Sequence, residues 1–352
     1  MNLYTKDGWL DIPHVAEVAD RNDISFIAII GKRQVGKTYG VLKFMLDTDK
    51  RFILMRGMKT ELEMLERNVN SPFAKIKGYE TAVEFAKDSP YTASISRYAT
   101  NEDGEEVKNY IGMGAALSNI GRIRGFNGDM FSDLVYDEFI PESHLLKVRF
   151  AGDAFNNAYT TINGNRELED RPPLRCWLLA NSNNLDSEIL ETLGITKIVE
   201  KMSLAGEESR ILKDRGIMIL LPDSTKVIEK RKKGALYKAI GGDSKFARMA
   251  YGNEFAYNDY SDVANKPLKE YKAIIVVGDV VVHLHKNNKT LYVTEMYRVS
   301  MGKNLHTYED TDFGLMTFKQ DFPELRPAYM NGRISFQNMT VKNHFLHYID
   351  LA

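Results

Sequence analysis

The stretch SFIAIIGKRQVGKTYGVLKF, Ser25 to Phe44, passes from an apolar run through a turn rich in glycine and lysine into an amphipathic segment. Ser25–Ile30 has the length and apolar continuity of a buried strand, and Thr38–Leu46 has helical spacing. Between them Gly31, Lys32, Arg33, Gln34, Val35, Gly36, Lys37 and Thr38 fit GxxxxGK[ST] at every fixed position. A loop that leaves a strand and opens a helix gathers backbone N–H groups and the positive end of the helix on one spot, which suits an anion. The spacing predicts a nucleotide triphosphate site with ATP and Mg²⁺ as ligands. In it the loop wraps the phosphates, Lys37 meets the β- and γ-phosphates, and the Thr38 hydroxyl ligates the metal.

Such a loop needs an acidic partner from a second strand. Met130–Tyr136 reads as that strand and runs into Asp137-Glu138. Asp137 is placed to hold Mg²⁺ through water, and Glu138 to polarise an attacking water, which argues for hydrolysis and not mere binding. Arginines are the usual means of stabilising charge on a transferring phosphoryl group. Arg33 lies within the loop, while Arg124 and Arg166 are each candidates to act on a neighbouring subunit's nucleotide. Asn181, directly after the apolar run Leu174–Ala180, is placed to sense the γ-phosphate.

Further apolar runs at Arg51–Met55 and Leu174–Ala180, with a helical segment at Thr60–Asn68, complete an alternation of strand and helix. That pattern predicts an α/β domain with a parallel sheet covered by helices on both faces, spanning residues 1–222. A polar, basic stretch follows, with Lys226, Lys230, Arg231, Lys232 and Lys233 close together, and 223–268 reads as a linker or lid subdomain. From Tyr271 the texture turns two-fold, predicting a hairpin turned at Lys286–Lys289 and an α+β domain over 269–352. His283 and His285, two apart, read as solvent-facing strand histidines more readily than as metal ligands.

At 352 residues, with 43% hydrophobic and 27% charged content, the chain is long enough for two substantial cores. Its 47 basic and 48 acidic residues leave a formal charge of -1, so any nucleic-acid contact must come from a local patch. One cysteine, Cys176, excludes an internal disulfide or a multi-cysteine zinc site and suits a reducing compartment. No apolar run approaches the roughly 18 residues of a membrane span, and no signal peptide is evident, so a cytoplasmic protein without membrane contact is expected.

Several of these features occur together in one family. The arginine inside the loop, the strand ending Asp137-Glu138-Phe139-Ile140, Asn165-Arg166-Glu167 ahead of the cysteine-bearing strand, and the segment Tyr329–Asn338 resemble the genome-packaging ATPases of small short-tailed phages with protein-primed DNA. These are large-terminase relatives among the ring-forming P-loop translocases with an additional catalytic glutamate (ASCE). The resemblance runs from about Ile27 to the C-terminus and is weakest between Asp186 and Leu268. It implies a homopentameric ring docked on the portal of a procapsid in the cytoplasm of an infected bacterium, driving double-stranded DNA inward. In some relatives a structural RNA mediates docking.

By the same resemblance Lys59, with Arg56 beside it, faces DNA, and Arg124 matches a trans-acting basic residue. The family's arginine finger falls on or near Gly164, which leaves Arg166 as its nearest candidate. The C-terminal domain resembles an RNase H-like nuclease that has lost its carboxylates, since Lys272–Val277 holds none and Asp279, Asp310 and Asp312 lie outside that strand. The alternatives are another P-loop ATPase of helicase type, for which strand-separation motifs are lacking, and a nucleotide-regulated adaptor without transport.

Overall fold

The computed structural model describes residues 3–31, 35–66, 71–86, 89–101, 103–123, 128–141, 148–181, 187–223, 262–264, 266, 271–285, 291–295 and 305–349. The chain divides into two compact units, Met1–Ala256 and Tyr257–Ala352. Among residues 223–268, those described are Asp223, 262–264 and 266; the basic stretch itself lies outside the described residues.

The first unit is built on a nine-stranded sheet. Its strands are β1 (Phe26–Gly31), β2 (Phe52–Arg56), β3 (Glu80–Ala86), β4 (Ser89–Thr100), β5 (Glu106–Ala116), β6 (Asp133–Asp137), β7 (Arg175–Asn181), β8 (Ser209–Leu212) and β9 (Ile217–Leu220). They lie in the order β3-β4-β5-β2-β6-β7-β1-β9-β8. From β5 to β9 every neighbouring pair is parallel, while β3, β4 and β8 add antiparallel edges.

Parallel strands need crossovers, and the helices that supply them cover both faces. Successive residues of a strand point to opposite faces, so Ile27 and Ile29 pack with α1 (Ile12–Arg21), α2 (Lys37–Asp47) and α3 (Lys59–Glu66). Ala28 and Ile30 pack on the other face with α4 (Ala151–Asn163), α5 (Glu188–Thr192) and α6 (Thr196–Ala205). Burial on both faces is why β1, β2, β6 and β7 read as apolar runs without alternation. Each expected strand appears within three residues of its expected start, and the two expected helices form as α2 and α3. The antiparallel wing β3–β4–β5 was not expected.

The second unit holds a five-stranded sheet of β10 (Tyr271–Val277), β11 (Val280–His285), β12 (Leu291–Glu295), β13 (Leu305–Tyr308) and β14 (Ile334–Phe336). Its order is β13-β10-β11-β12-β14: an antiparallel meander of three strands, with β13 parallel to β10 and β14 parallel to β12. A two-residue turn, Gly278-Asp279, joins β10 to β11, so the expected hairpin gains a strand; Lys286–Lys289 lie outside the described residues. One face packs Ile275, Val277, Val282 and Val293 against Phe318 of α7 (Asp312–Asp321), Leu325 of α8 (Leu325–Met330) and Phe345 of α9 (Met339–Tyr348). Thr311 and Asn338 cap α7 and α9, their side-chain oxygens accepting from Gly314 N and Val341 N. The other face carries Ile274, Val281 and His283, all buried. His283 is 1% exposed and contacts Thr294 Oγ1 at 2.9 Å, so the expected solvent-facing histidine is instead a core group, pushed down to about 4 by burial.

Candidate functional site

Register brings the predicted residues to one edge. Gly31 pairs with Asn181, and Asp137 lies beside Leu179, so β1, β7 and β6 end side by side with β7 in the middle. β2 ends next to β6, carrying Arg56 to the same edge. In open parallel sheets ligands bind outside the carboxyl ends of the strands, and this is that side.

α2 starts here. Gly36 adopts φ +90°, a conformation that costs glycine little, and turns the chain into the helix at Lys37. The Lys37 ammonium is buried and folds back over the strand ends, donating to the Gly31 carbonyl at 3.0 Å and to Asn181 Oδ1 at 3.2 Å. One residue on, the Thr38 hydroxyl donates to Asp137 Oδ1 at 2.7 Å. Lys32, Arg33 and Gln34, the interior of the loop, lie outside the described residues, as does Arg124.

Asp137 and Glu138 reach one partner by an irregularity of the backbone. As consecutive strand residues they would point to opposite faces. Glu138 instead takes φ +58°, uncommon for a residue with a side chain, and the chain turns sharply after β6. Both carboxylates then meet Arg56, whose guanidinium lies 2.8 Å from Asp137 Oδ2 and 3.0 Å from Glu138 Oε2. Arg56 is 13% exposed at its side chain while Glu138 is 45% exposed, so the arginine is set inside and the glutamate stands at the mouth. The planar fork of a guanidinium is suited to bridging two acids in this way.

Two expectations change. Arg56 was placed with DNA; it is committed to the acidic pair instead. Arg166, a candidate for acting on a neighbour, is 6% exposed and donates to the carbonyls of Gly128 at 3.0 Å and of Phe131, fixing the loop ahead of β6. A buried guanidinium spent on carbonyls of its own chain is not available in trans. Lys59 opens α3 and pairs with Glu63 at 3.0 Å, one helical turn away.

The donor set beside Thr38 is all oxygen: a hydroxyl and a carboxylate already in contact, with a second carboxylate one residue on. It fits a hard cation such as Mg²⁺, which takes oxygen ligands and keeps much of its water. No group of three or more His, Cys, Asp or Glu side chains is arranged to hold a metal by itself among the described residues.

The first unit is thus an α/β domain with a parallel central sheet and an anion-suited edge. No family model matches the chain, and no curated protein matches its sequence. Among solved structures it is similar to the bacteriophage Phi-29 viral genome packaging motor assembly, with TM-score 0.61 and 17% identity over 99% of both chains. It is also similar to the Phi-28 gp11 DNA packaging motor, with TM-score 0.59 and 14% identity over 99% of both chains. At these identities the likeness establishes a shared fold across both units. Among the described residues no helix is long and apolar enough to cross a membrane.

Proposed function

We propose that this chain is the ATPase of a phage genome-packaging motor, a P-loop enzyme that hydrolyses ATP to drive double-stranded DNA into a procapsid. The observation that carries the reading is the meeting of Lys37 and Thr38 from the start of α2, Asn181 from the end of β7, and Asp137 and Glu138 from the end of β6 at one sheet edge. The fold it shares with two phage packaging motors supports it.

Lys37 leaves the Gly31 and Asn181 oxygens for the β- and γ-phosphates, and Asn181, relieved of the lysine, faces the γ-phosphate. Mg²⁺, held by Thr38 and Asp137, would neutralise charge on the phosphate oxygens. Glu138 accepts a proton from the attacking water as general base. Arg56, whose guanidinium reaches Asp137 at 2.8 Å and Glu138 at 3.0 Å, holds the two carboxylates in place for this. Arg56 ends β2, three residues before Lys59, which we assign to the DNA backbone as the resemblance implies. Grip on DNA and the placing of Glu138 are thereby joined through one short segment, and contact with phosphates makes transport tolerant of sequence and weakened by salt.

The finer assignments follow the resemblance. The active form is a homopentameric ring on the portal, in some systems with a structural RNA, and works in the host cytoplasm. Arg33 serves in cis and Arg124 in trans. Residues 223–268 act as a lid or lever, and 269–352 form an RNase H-like docking domain without nuclease chemistry.

Measuring ATP turnover with and without long double-stranded DNA tests this. DNA should stimulate hydrolysis, and Glu138→Gln should lower the stimulated rate by about 10²- to 10⁴-fold. Stimulation by single strands with unwinding would favour a helicase, and undiminished turnover in Glu138→Gln would remove the catalytic assignment.

A further inference from the structure

The N-terminal residues carry an aromatic ring to the phosphate loop. Leu3 and Leu10 are buried, Tyr4 bridges to Leu10, and Leu10 N donates to the Val35 carbonyl at 3.4 Å. The turn between them is closed by Thr5 N on the Trp9 carbonyl at 2.8 Å, by Gly8 N on the Thr5 carbonyl at 2.9 Å and by Trp9 N on Thr5 Oγ1 at 3.2 Å. Asp11 caps α1 by accepting from His14 N at 3.2 Å, and Ile12 sits so close to Gly40 of α2 that a Cβ there would be 2.8 Å away. The backbone under Trp9 is therefore fixed at both sides. Its ring lies where a Cβ on Gly36 would meet it at 3.5 Å, yet Trp9 is 47% exposed.

An exposed aromatic needs no explanation when it stands anywhere on a surface. This one stands at the exit of the loop. Lys37, Asn181, Thr38 and Asp137 mark the end of the site that takes the β- and γ-phosphates, so the nucleoside must leave past Gly36 and the first turn of α2. A second exposed aromatic, Tyr39, lies in that turn. We propose that Trp9 is the platform on which the base of the bound nucleotide stacks, so that the site favours nucleotides over bare polyphosphate. Every base has a π-face, so such a platform holds purines without reading them by hydrogen bonds. The inference rests on reading Gly31–Thr38 as a triphosphate site.

The two tryptophans make the test direct. Trp177 is fully buried and donates its indole N–H to Asp133 at 2.8 Å, whereas Trp9 is open to ligand. Titrating the full chain with Mg·ATP should quench the tryptophan emission, Mg·tripolyphosphate should not, and the quench should vanish in Trp9→Phe while affinity is retained. In Trp9→Ala the affinity for Mg·ATP should fall by about ten- to a hundredfold, with that for Mg·tripolyphosphate unchanged. Equal affinity of Trp9→Ala and the parent for Mg·ATP would overturn the platform, and so would a parallel loss of both ligands. If the parent binds neither ligand, the triphosphate reading itself falls, and the platform with it.

Discussion

Among the described residues carboxylates gather beyond strand ends in each unit, and what faces them differs. At the edge of the large sheet Asp137 and Glu138 are met by cationic or hydroxyl groups, Arg56 and Thr38, with the buried ammonium of Lys37 nearby. In the small sheet Asp279 lies in the β10–β11 turn and Asp310 just after β13. The Tyr348 phenol shares its one O–H between Asp279 Oδ1 at 2.8 Å and Asp310 Oδ2 at 3.2 Å, and His344 closes on the remaining Asp279 oxygen. One set is assembled around a place where phosphate charge can enter. The other is bound by the phenol and the imidazole of its own α9. On the proposed reading, acidic residues at strand ends serve a reaction where counter-charges and an anion-suited helix start converge with them.

The sharpest test of this contrast pairs two variants. Lys37→Ala removes the charge we assign to the phosphates and should lower ATP turnover by about a thousandfold, the scale lost when a donor to a developing anion is deleted. Asp279→Asn should leave turnover where it was. Comparable loss in both, measured by phosphate release with the fold checked by circular dichroism, would erase the distinction between the two clusters.

Arg56→Ala comes next. It leaves Asp137 and Glu138 without the guanidinium that sets their positions, and a base misplaced by about 1 Å costs about a hundredfold. The expected result is loss of DNA-stimulated turnover with ATP affinity little changed. An unaltered rate would mean that the pair seen here has no part in setting the glutamate.

How much of this is legible in residues follows from the same physics. The strand–loop–helix at Ser25–Phe44 declares itself because burial on both faces demands an unbroken apolar run, and a loop that is to cradle phosphate demands glycines at fixed intervals. The wing is quieter: β4 carries small and polar residues such as Thr92, Ser94 and Ser96, and β5 is exposed over Glu106–Tyr110 before it is buried over Gly112–Ala116. Half-solvated antiparallel strands of that kind lack the apolar continuity that marks β1. Arg56 and Arg166 mislead for a different reason. The sequence groups Arg56 with Lys59 three residues on, and Arg166 with the finger that the resemblance puts near Gly164, but strand alternation and burial send each guanidinium to groups 82 or at least 35 positions away. Trp9 gives no signal at all until Gly36 is seen beneath it.

The small unit offers a test through pH. His283 titrates near 6.5 when unfolded and about 4 when buried, so between those values the unfolded chain binds more protons than the native one. Stability is full above pH 6.5, falls as pH drops through the window, and reaches its floor below about 4. Between pH 7 and pH 5 the loss should be about 2 kcal/mol, read by denaturant unfolding of the transition belonging to this unit. His283→Gln keeps a partner for Thr294 without titrating and should flatten that slope. An equal slope in both would place the titrating group elsewhere.

Tyr348→Phe asks the least of the fold and the most of the comparison. Burial alone would raise the Asp279 carboxyl, but the hydrogen bonds from His344 and Tyr348 outweigh it and hold the group below its usual range. A depressed carboxyl stabilises the native state above its unfolded value near 4 and loses that contribution as pH falls through the folded value. Removing the phenol should cost about 1 kcal/mol at neutral pH and soften the acid limb of unfolding. It also frees an oxygen on each carboxylate. If the phenol merely completes a packed polar cluster, plasmid incubated with Mn²⁺ stays intact with the parent and with Tyr348→Phe alike, which is the outcome expected. Nicking that appears only in Tyr348→Phe and disappears when Asp310→Asn is added would show that the second cluster lacks nothing but open ligand positions, and counter-charge would no longer be what separates the two.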